Sequence, residues 1–172
     1  THFNLTQFES QLIDTAFYGA YFIGSLLLFV ISSSFKIDIL NRIGYKNGII
    51  WGLVISIGGA LCMIPAVNSG SFYFILGAFF VIALGFSLQQ TAAQPFAISL
   101  GDPSTGSHRL NLGGSVNSFG TTVGPLIVSF ALFGSVKEGA SSSAEIGTIK
   151  TLYLIVSGVF FLAAVIFFIS KL

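Results

Sequence analysis

The residues best suited to chemistry stand in Leu88-Gln89-Gln90-Thr91-Ala92-Ala93-Gln94-Pro95-Phe96, at the end of an apolar run that begins near Phe72. Gln89, Gln90 and Gln94 carry amides and Thr91 a hydroxyl, so the stretch can donate and accept hydrogen bonds without charge. Polar groups at membrane depth are costly unless they face the protein interior or a water-filled cavity, where they mark a pathway. Gln90 and Gln94 are four apart and share one face of a helix. Pro95 has no N–H and disturbs the carbonyl of Thr91, which loosens a helix there. The stretch reads as a binding face.

A second polar set follows: Asn111, Ser115, Asn117, Ser118, Thr121 and Thr122. Gly113, Gly120 and Gly124 share the helical face of Asn117, so a partner helix is able to approach that amide. Asn117 reads equally as interhelical glue or as a ligand contact. Tyr18 and Tyr21 place hydroxyls in an earlier apolar run, either to line a site or to sit near the interface. Asp14 lies at the start of that run and reads first as an interfacial or helix-start carboxylate, second as a buried functional acid.

The composition says what must position these groups. Of 172 residues, 53% are hydrophobic and 8% charged, with mean hydropathy +0.91. A soluble domain carries about 25% charged residues. So few charges cannot cover a water-soluble fold, and an integral membrane protein is expected. The 19 Phe suit acyl chains, and the 20 Gly let helices approach closely. A net charge of +1 argues against a nucleic-acid partner. Cys62 is alone, so neither a disulfide framework nor a cysteine metal site is expected. No Gly-Lys-Ser/Thr loop is present to cradle a phosphate, and no cofactor is expected. A membrane enzyme would need paired acids, a metal cluster or a nucleophile with its base, whereas Asp14, Asp38, Asp102 and the two His are scattered. His108 reads as a loop residue. No signal-peptide pattern opens the chain, which starts abruptly on a polar segment and reads as part of something longer.

The expected fold is all-α, a polytopic bundle of about five transmembrane helices over residues 12–33, 48–67, 72–100, 110–133 and 151–169. Ala16, Ala20 and Gly24 form a small-residue seam on the first, and Gly48, Gly52, Ser56 and Ala60 on the second. Pro125 is a candidate break in the fourth. The fifth is almost purely apolar and reads as a lipid-facing support. Residues 34–46 form a basic loop with Lys36, Arg42 and Lys46 against Asp38, which places it in the cytoplasm. The start is then outside and the end, near Lys171, inside.

Several blocks together carry a resemblance: Gln90-Thr91-Ala92-Ala93-Gln94-Pro95-Phe96, Leu100-Gly101-Asp102-Pro103, Arg109-Leu110-Asn111-Leu112, and Asn117-Ser118-Phe119-Gly120-Thr121-Thr122-Val123-Gly124-Pro125-Leu126. Leu12-Ile13, Ala16-Phe17-Tyr18, Tyr21-Phe22 and Tyr45-Lys46-Asn47-Gly48 add to it. Over nearly its whole length the chain resembles the fucose–proton symporter family of the major facilitator superfamily, which includes bacterial fucose permeases and glucose/galactose transporters. The resemblance implies two six-helix halves, of which this chain is the amino-terminal half without its first helix. That helix would lie upstream of Thr1, and a carboxy-terminal half would follow. It also implies a multi-pass protein of the bacterial inner membrane, with sugar contacts at Gln90 and Asn117 and a substrate site near the midplane between halves.

Departures from the family pattern carry their own expectations. Fucose permeases have Glu where this chain has Gln90, whereas glucose/galactose members have Gln. A glutamine binds hydroxyls but takes up no proton, so the coupling acid is either Asp14 or outside the chain. The family's Asn before proline is Gln94 here, its Gln is replaced by Gly114, and the loop Asp before the basic residue is Asn41 ahead of Arg42. The expected function is uptake of a neutral hexose or deoxyhexose (fucose, glucose or galactose) with protons, by alternating access. The expected partners are sugar, protons, the lipid bilayer and the rest of the same protein. The alternative is a structural or assembly subunit that kept the fold and lost transport.

Overall fold

A computed structural model describes residues 7–35, 39–133 and 142–170. Five long helices dominate: α1 (Gln7–Phe35), α3 (Tyr45–Ser69), α4 (Phe72–Ser99), α5 (Gly106–Phe133) and α6 (Ser142–Ile169). The short helix α2 (Ile39–Ile43) precedes α3, and a single 3-10 turn (Pro103–Thr105) precedes α5. At about 1.5 Å per residue, even the 25-residue α3 exceeds a hydrocarbon core of about 30 Å. Among the described residues, four segments are long and apolar enough to cross a membrane: Gln11–Ser34, Tyr45–Ser69, Phe72–Ser99 and Gly147–Ile169. Helix α5 has the length without the hydrophobicity, because Asn111, Ser115, Asn117, Ser118, Thr121 and Thr122 interrupt it. The fourth span expected from sequence, residues 110–133, is therefore a helix of mixed polarity, whose polar side needs protein or water rather than lipid.

Helix α3 is the centre. It packs on α4 and α6, while α4 also carries α1 and α5. The small-residue stripe of α3 explains this choice. Gly48, Gly52, Ser56, Gly59 and Ala60 are all buried on one face. A Cβ added to Gly52 would lie 2.8 Å from the carbonyl of Gly85, and one added to Gly85 would lie 2.6 Å from that of Gly52. The two backbones are thus in contact, and dispersion over this seam does the work that water expulsion does in soluble proteins. The α1 seam behaves likewise, with Ala20 fully buried and the Gly24 position 2.7 Å from Ser87 Oγ. Ser25 and Ser87 hydroxyls pair across α1 and α4 at 3.0 Å.

Helix α6 is more than a lipid-facing support. Phe160, Ala163, Ala164 and Phe167 close over Ile49, Leu53 and Ala92. Its opposite face, with Leu154, Ile155, Val159, Leu162 and Ile166, is exposed for lipid. The expected break at Pro125 does not occur. Pro65, Pro95 and Pro125 all lie inside continuous helices, since at membrane depth there is no water to satisfy the backbone of a helix that opens. Sharp turning is left to glycine: Gly44 enters α3 at φ 88°, and Gly70 ends it in the left-handed region at φ 64°.

The helix ends expected on the cytoplasmic side lie together. Lys46 in the first turn of α3 donates Nζ–H to the carbonyls of Phe168 (3.4 Å) and Ser170 at the end of α6. A cation is unfavourable at the positive end of its own helix but favourable at the negative end of another. The basic loop of residues 34–46 contains α2, with Asn41 accepting from the Tyr45 hydroxyl at 2.7 Å. Lys36 and Asp38 lie outside the described residues.

Candidate functional site

The candidate site is a cavity of about 490 Å³ between α4 and α5, lined by Gln90, Ala93, Gln94, Ala97, Arg109, Leu110, Gly113, Gly114, Val116 and Asn117. Helical spacing builds it. Gln90, Ala93, Gln94 and Ala97 form one stripe of α4, and Leu110, Gly113, Gly114 and Asn117 one stripe of α5. Gly113 and Gly114 keep the α5 wall low, with nothing within 4 Å of a Cβ placed on either. Among the described residues, no side chain or backbone group bonds the amides of Gln90, Gln94 or Asn117, and all three are exposed. Amides in this state have both donor and acceptor capacity to offer a ligand.

The remaining candidates go elsewhere. Gln89, one residue before Gln90 and so about 100° round the helix, turns to α3 and donates Nε2–H to Ser56 Oγ at 2.9 Å. It joins two helices and is directed away from the cavity. Thr91 bonds the Ser87 carbonyl four residues back at 2.8 Å. It lines a second crevice of about 630 Å³ between α1, α2, α4 and the start of α3, with Ser25, Ser32, Ser33, Tyr45 and Pro95 among its neighbours. That crevice is larger, but Ser25, Tyr45 and Thr91 already spend their hydroxyls on Ser87, Asn41 and the Ser87 carbonyl. Tyr18 is 70% exposed on α1 and meets Phe17 edge-on, with ring centroids 5.6 Å apart. Asp14 is exposed near the start of the α1 span. Neither Tyr18 nor Asp14 lines either cavity.

The glycine face around Asn117 was expected to receive a partner helix. Within the described chain it receives none: Cβ positions on Gly113, Gly120 and Gly124 meet nothing within 4 Å. All residues from Leu110 to Thr122 are exposed.

One residue of the cavity carries a contact that sequence reasoning passed over. Arg109 lies in the first turns of α5 and donates Nε–H to Ala97 O (2.7 Å), Nη2–H to Ile98 O (2.7 Å) and Asp102 O (3.0 Å), and Nη1–H to Thr105 Oγ1 (2.7 Å). The signal was a cation at a helix N-terminus, where its own dipole disfavours it and a second partner is needed. Asp102 meets it through its backbone carbonyl alone, not through its side chain. Its carboxylate accepts from the Ser104 hydroxyl (2.6 Å) and N–H (2.8 Å), which hold it below the ordinary carboxylate range. Among the described residues, no group of three or more metal-ligating side chains is assembled.

The sequence pattern of the Major Facilitator Superfamily matches residues 1–171. The chain belongs to the Major Facilitator Superfamily. The glucose/galactose transporter of Brucella abortus is 36% identical over 169 residues, which is 98% of this chain and 39% of that protein. The L-fucose-proton symporter of Escherichia coli is 29% identical over 183 residues, covering 98% of this chain and 40% of its own length. A crystal structure of the superfamily transporter FucP in the outward conformation superposes with a TM-score of 0.78 at 30% identity, over 99% of this chain and 42% of that one. The chain thus spans about two fifths of the length of its relatives. Superfamily membership agrees with the long apolar helices, and the protein is a multi-pass membrane protein.

Proposed function

We propose that this chain is the amino-terminal transmembrane part of a secondary active transporter for a neutral sugar. The observation that carries the reading is the α4–α5 cavity, where the unengaged amides of Gln90, Gln94 and Asn117 converge. Neutral amides match sugar hydroxyls, each of which both donates and accepts, and no carboxylate lines the cavity to select a cation. The names of the relatives, a glucose/galactose transporter and an L-fucose-proton symporter, support a hexose or deoxyhexose. The open polar face of α5 supports a further occupant there, either substrate and water or the rest of the protein. Substrate would sit between this half and a second one, and rocking of the halves would alternate access. The bacterial relatives support placement in the inner membrane, with the Lys46 and Arg109 ends cytoplasmic.

Protons drive the uptake in this reading. Gln90 does not titrate, so the coupling acid is Asp14 or a residue outside this chain. Uptake by the full-length protein in proteoliposomes tests the proposal. Radiolabelled glucose, galactose or fucose should accumulate under an inward proton gradient, and Gln90→Ala and Asn117→Ala should each weaken it. Uptake that only equilibrates the sugar and is unaffected by a protonophore would leave a facilitator. No uptake of any sugar would leave a structural subunit with a transporter fold.

A further inference from the structure

We propose that Arg109 is a positioning residue for the α4–α5 cavity, acting as a clasp that sets the splay of α5. The clasp lies at one end of the cavity. Residues Leu110–Thr122 are exposed, so within the described chain little side-chain packing holds the face of α5 that carries Asn117. Arg109 supplies the missing fixture. The last four carbonyls of a helix have no partner within it. In α4, Phe96 O is taken by the Ser99 hydroxyl at 2.8 Å, and Ala97 O and Ile98 O by the Arg109 guanidinium. The planar fork also reaches Asp102 O in the connecting loop and Thr105 Oγ1 at the α5 entrance. One side chain thus ties the end of α4, the loop and the start of α5. All four acceptors are neutral oxygens, and two of them, Ala97 O and Ile98 O, stand at the negative end of α4. A lysine ammonium has no such fork and cannot span the same acceptors.

Leverage makes this geometry consequential. Asn117 is eight residues beyond Arg109, about 12 Å up the helix, so a swing of about 10° moves it by about 2 Å. A hydrogen bond does not survive that displacement. A sugar gripped from both walls would lose one of them. Gly101 belongs to the same device: a Cβ there would sit 2.7 Å from Arg109 Nη1, so any side chain at 101 displaces the guanidinium. Gly101→Ala therefore disturbs the clasp without removing the arginine.

The consequence for sugar affinity rests on the transport reading; the effect on α5 does not. Two measurements separate them, both on the full-length protein. Nitroxide labels at Val81→Cys on α4 and Leu126→Cys on α5, in a Cys62→Ala background, report splay by pulsed electron resonance. Leu126 is 17 residues beyond the clasp, about 26 Å, so a swing of about 10° shifts the label distance by about 4 Å. Arg109→Ala and Gly101→Ala should shift or broaden the distribution by this amount, Arg109→Lys should restore it only in part, and Asp102→Asn should leave it unchanged. In uptake assays the first two should raise KM roughly tenfold with kcat within about threefold. If Arg109→Ala does not yield folded protein, Gly101→Ala decides the question by the same distance. A label distribution identical to the parent in a folded variant overturns the proposal, as does a shifted distribution with an unchanged KM. Shifted labels in a protein that transports no sugar leave the clasp standing and sink the transport reading.

Discussion

Gln89 and Gln90 are neighbours of the same type, and substituting each by alanine should break different things. Gln89 bonds Ser56 across the α3–α4 seam at 2.9 Å, and its Cγ lies against Gly52. An interhelical polar bond in a membrane protein averages about 0.6 kcal/mol and reaches about 1.7. Ser56 Oγ keeps only its long bond to Ile82 O at 3.5 Å, so Gln89→Ala should cost about 1 kcal/mol. In the full-length protein, of which relatives put this chain at about two fifths, that corresponds to a fall in Tm of about 1–2 °C. KM for sugar should stay within about twofold. Gln90 has no internal partner to lose, and an exposed substitution of this kind stays within about 0.5 kcal/mol of the parent. Its amide offers a bond to a sugar hydroxyl at about 0.5–1.5 kcal/mol, so Gln90→Ala should raise KM by about two- to tenfold at constant Tm. The pair is measured in one experiment: thermal unfolding in detergent alongside uptake in proteoliposomes. Equal rises in KM for both variants, with neither losing stability, would refute the division of α4 into a packing face and a cavity face.

Other predictions follow from the same contacts. Gly85→Ala drives a Cβ to within 2.6 Å of Gly52 O and 2.8 Å of Ser56 N, neither of which can yield without moving a helix. Thermal unfolding should show a loss of about 1–3 kcal/mol. Gly44→Ala forces an L side chain to φ 88°, ψ 137° at the entrance to α3, a sparsely populated backbone region, and should cost about 1–3 kcal/mol by the same measurement. Gly114→Gln projects into open space, so stability should hold while the cavity narrows. Competition uptake should then shift preference toward the smaller 6-deoxyhexose by about tenfold.

Much of the architecture was legible because lipid simplifies the problem. Runs of apolar residues announce spans, and Gly48-Gly52-Ser56-Ala60 announced the face on which α3 meets α4, since only small side chains permit such contact. The polar stretch around Gln90 announced a cavity, because hydrocarbon does not tolerate amides. The helix break at Pro125 was misjudged, since local propensity yields to the need for paired backbone groups in the bundle. The glycine face of Asn117 promised a neighbour, and none is packed there among the described residues.

By itself, the sequence determined that this is an all-helical membrane protein and that Gln90, Gln94 and Asn117 are polar where lipid forbids it. Composition and a helical repeat of 3.6 residues suffice for that. Which amide faces what was decided only by the tertiary structure. Gln89 and Gln90 are identical in chemistry, and one residue of rotation sends the first to Ser56 and the second to the cavity. The sequence marked Arg109 only as part of the block Arg109-Leu110-Asn111-Leu112, and its partners emerged once the end of α4 came within reach of its guanidinium. Rotation about a helix axis is local, but what lies opposite depends on how distant segments pack.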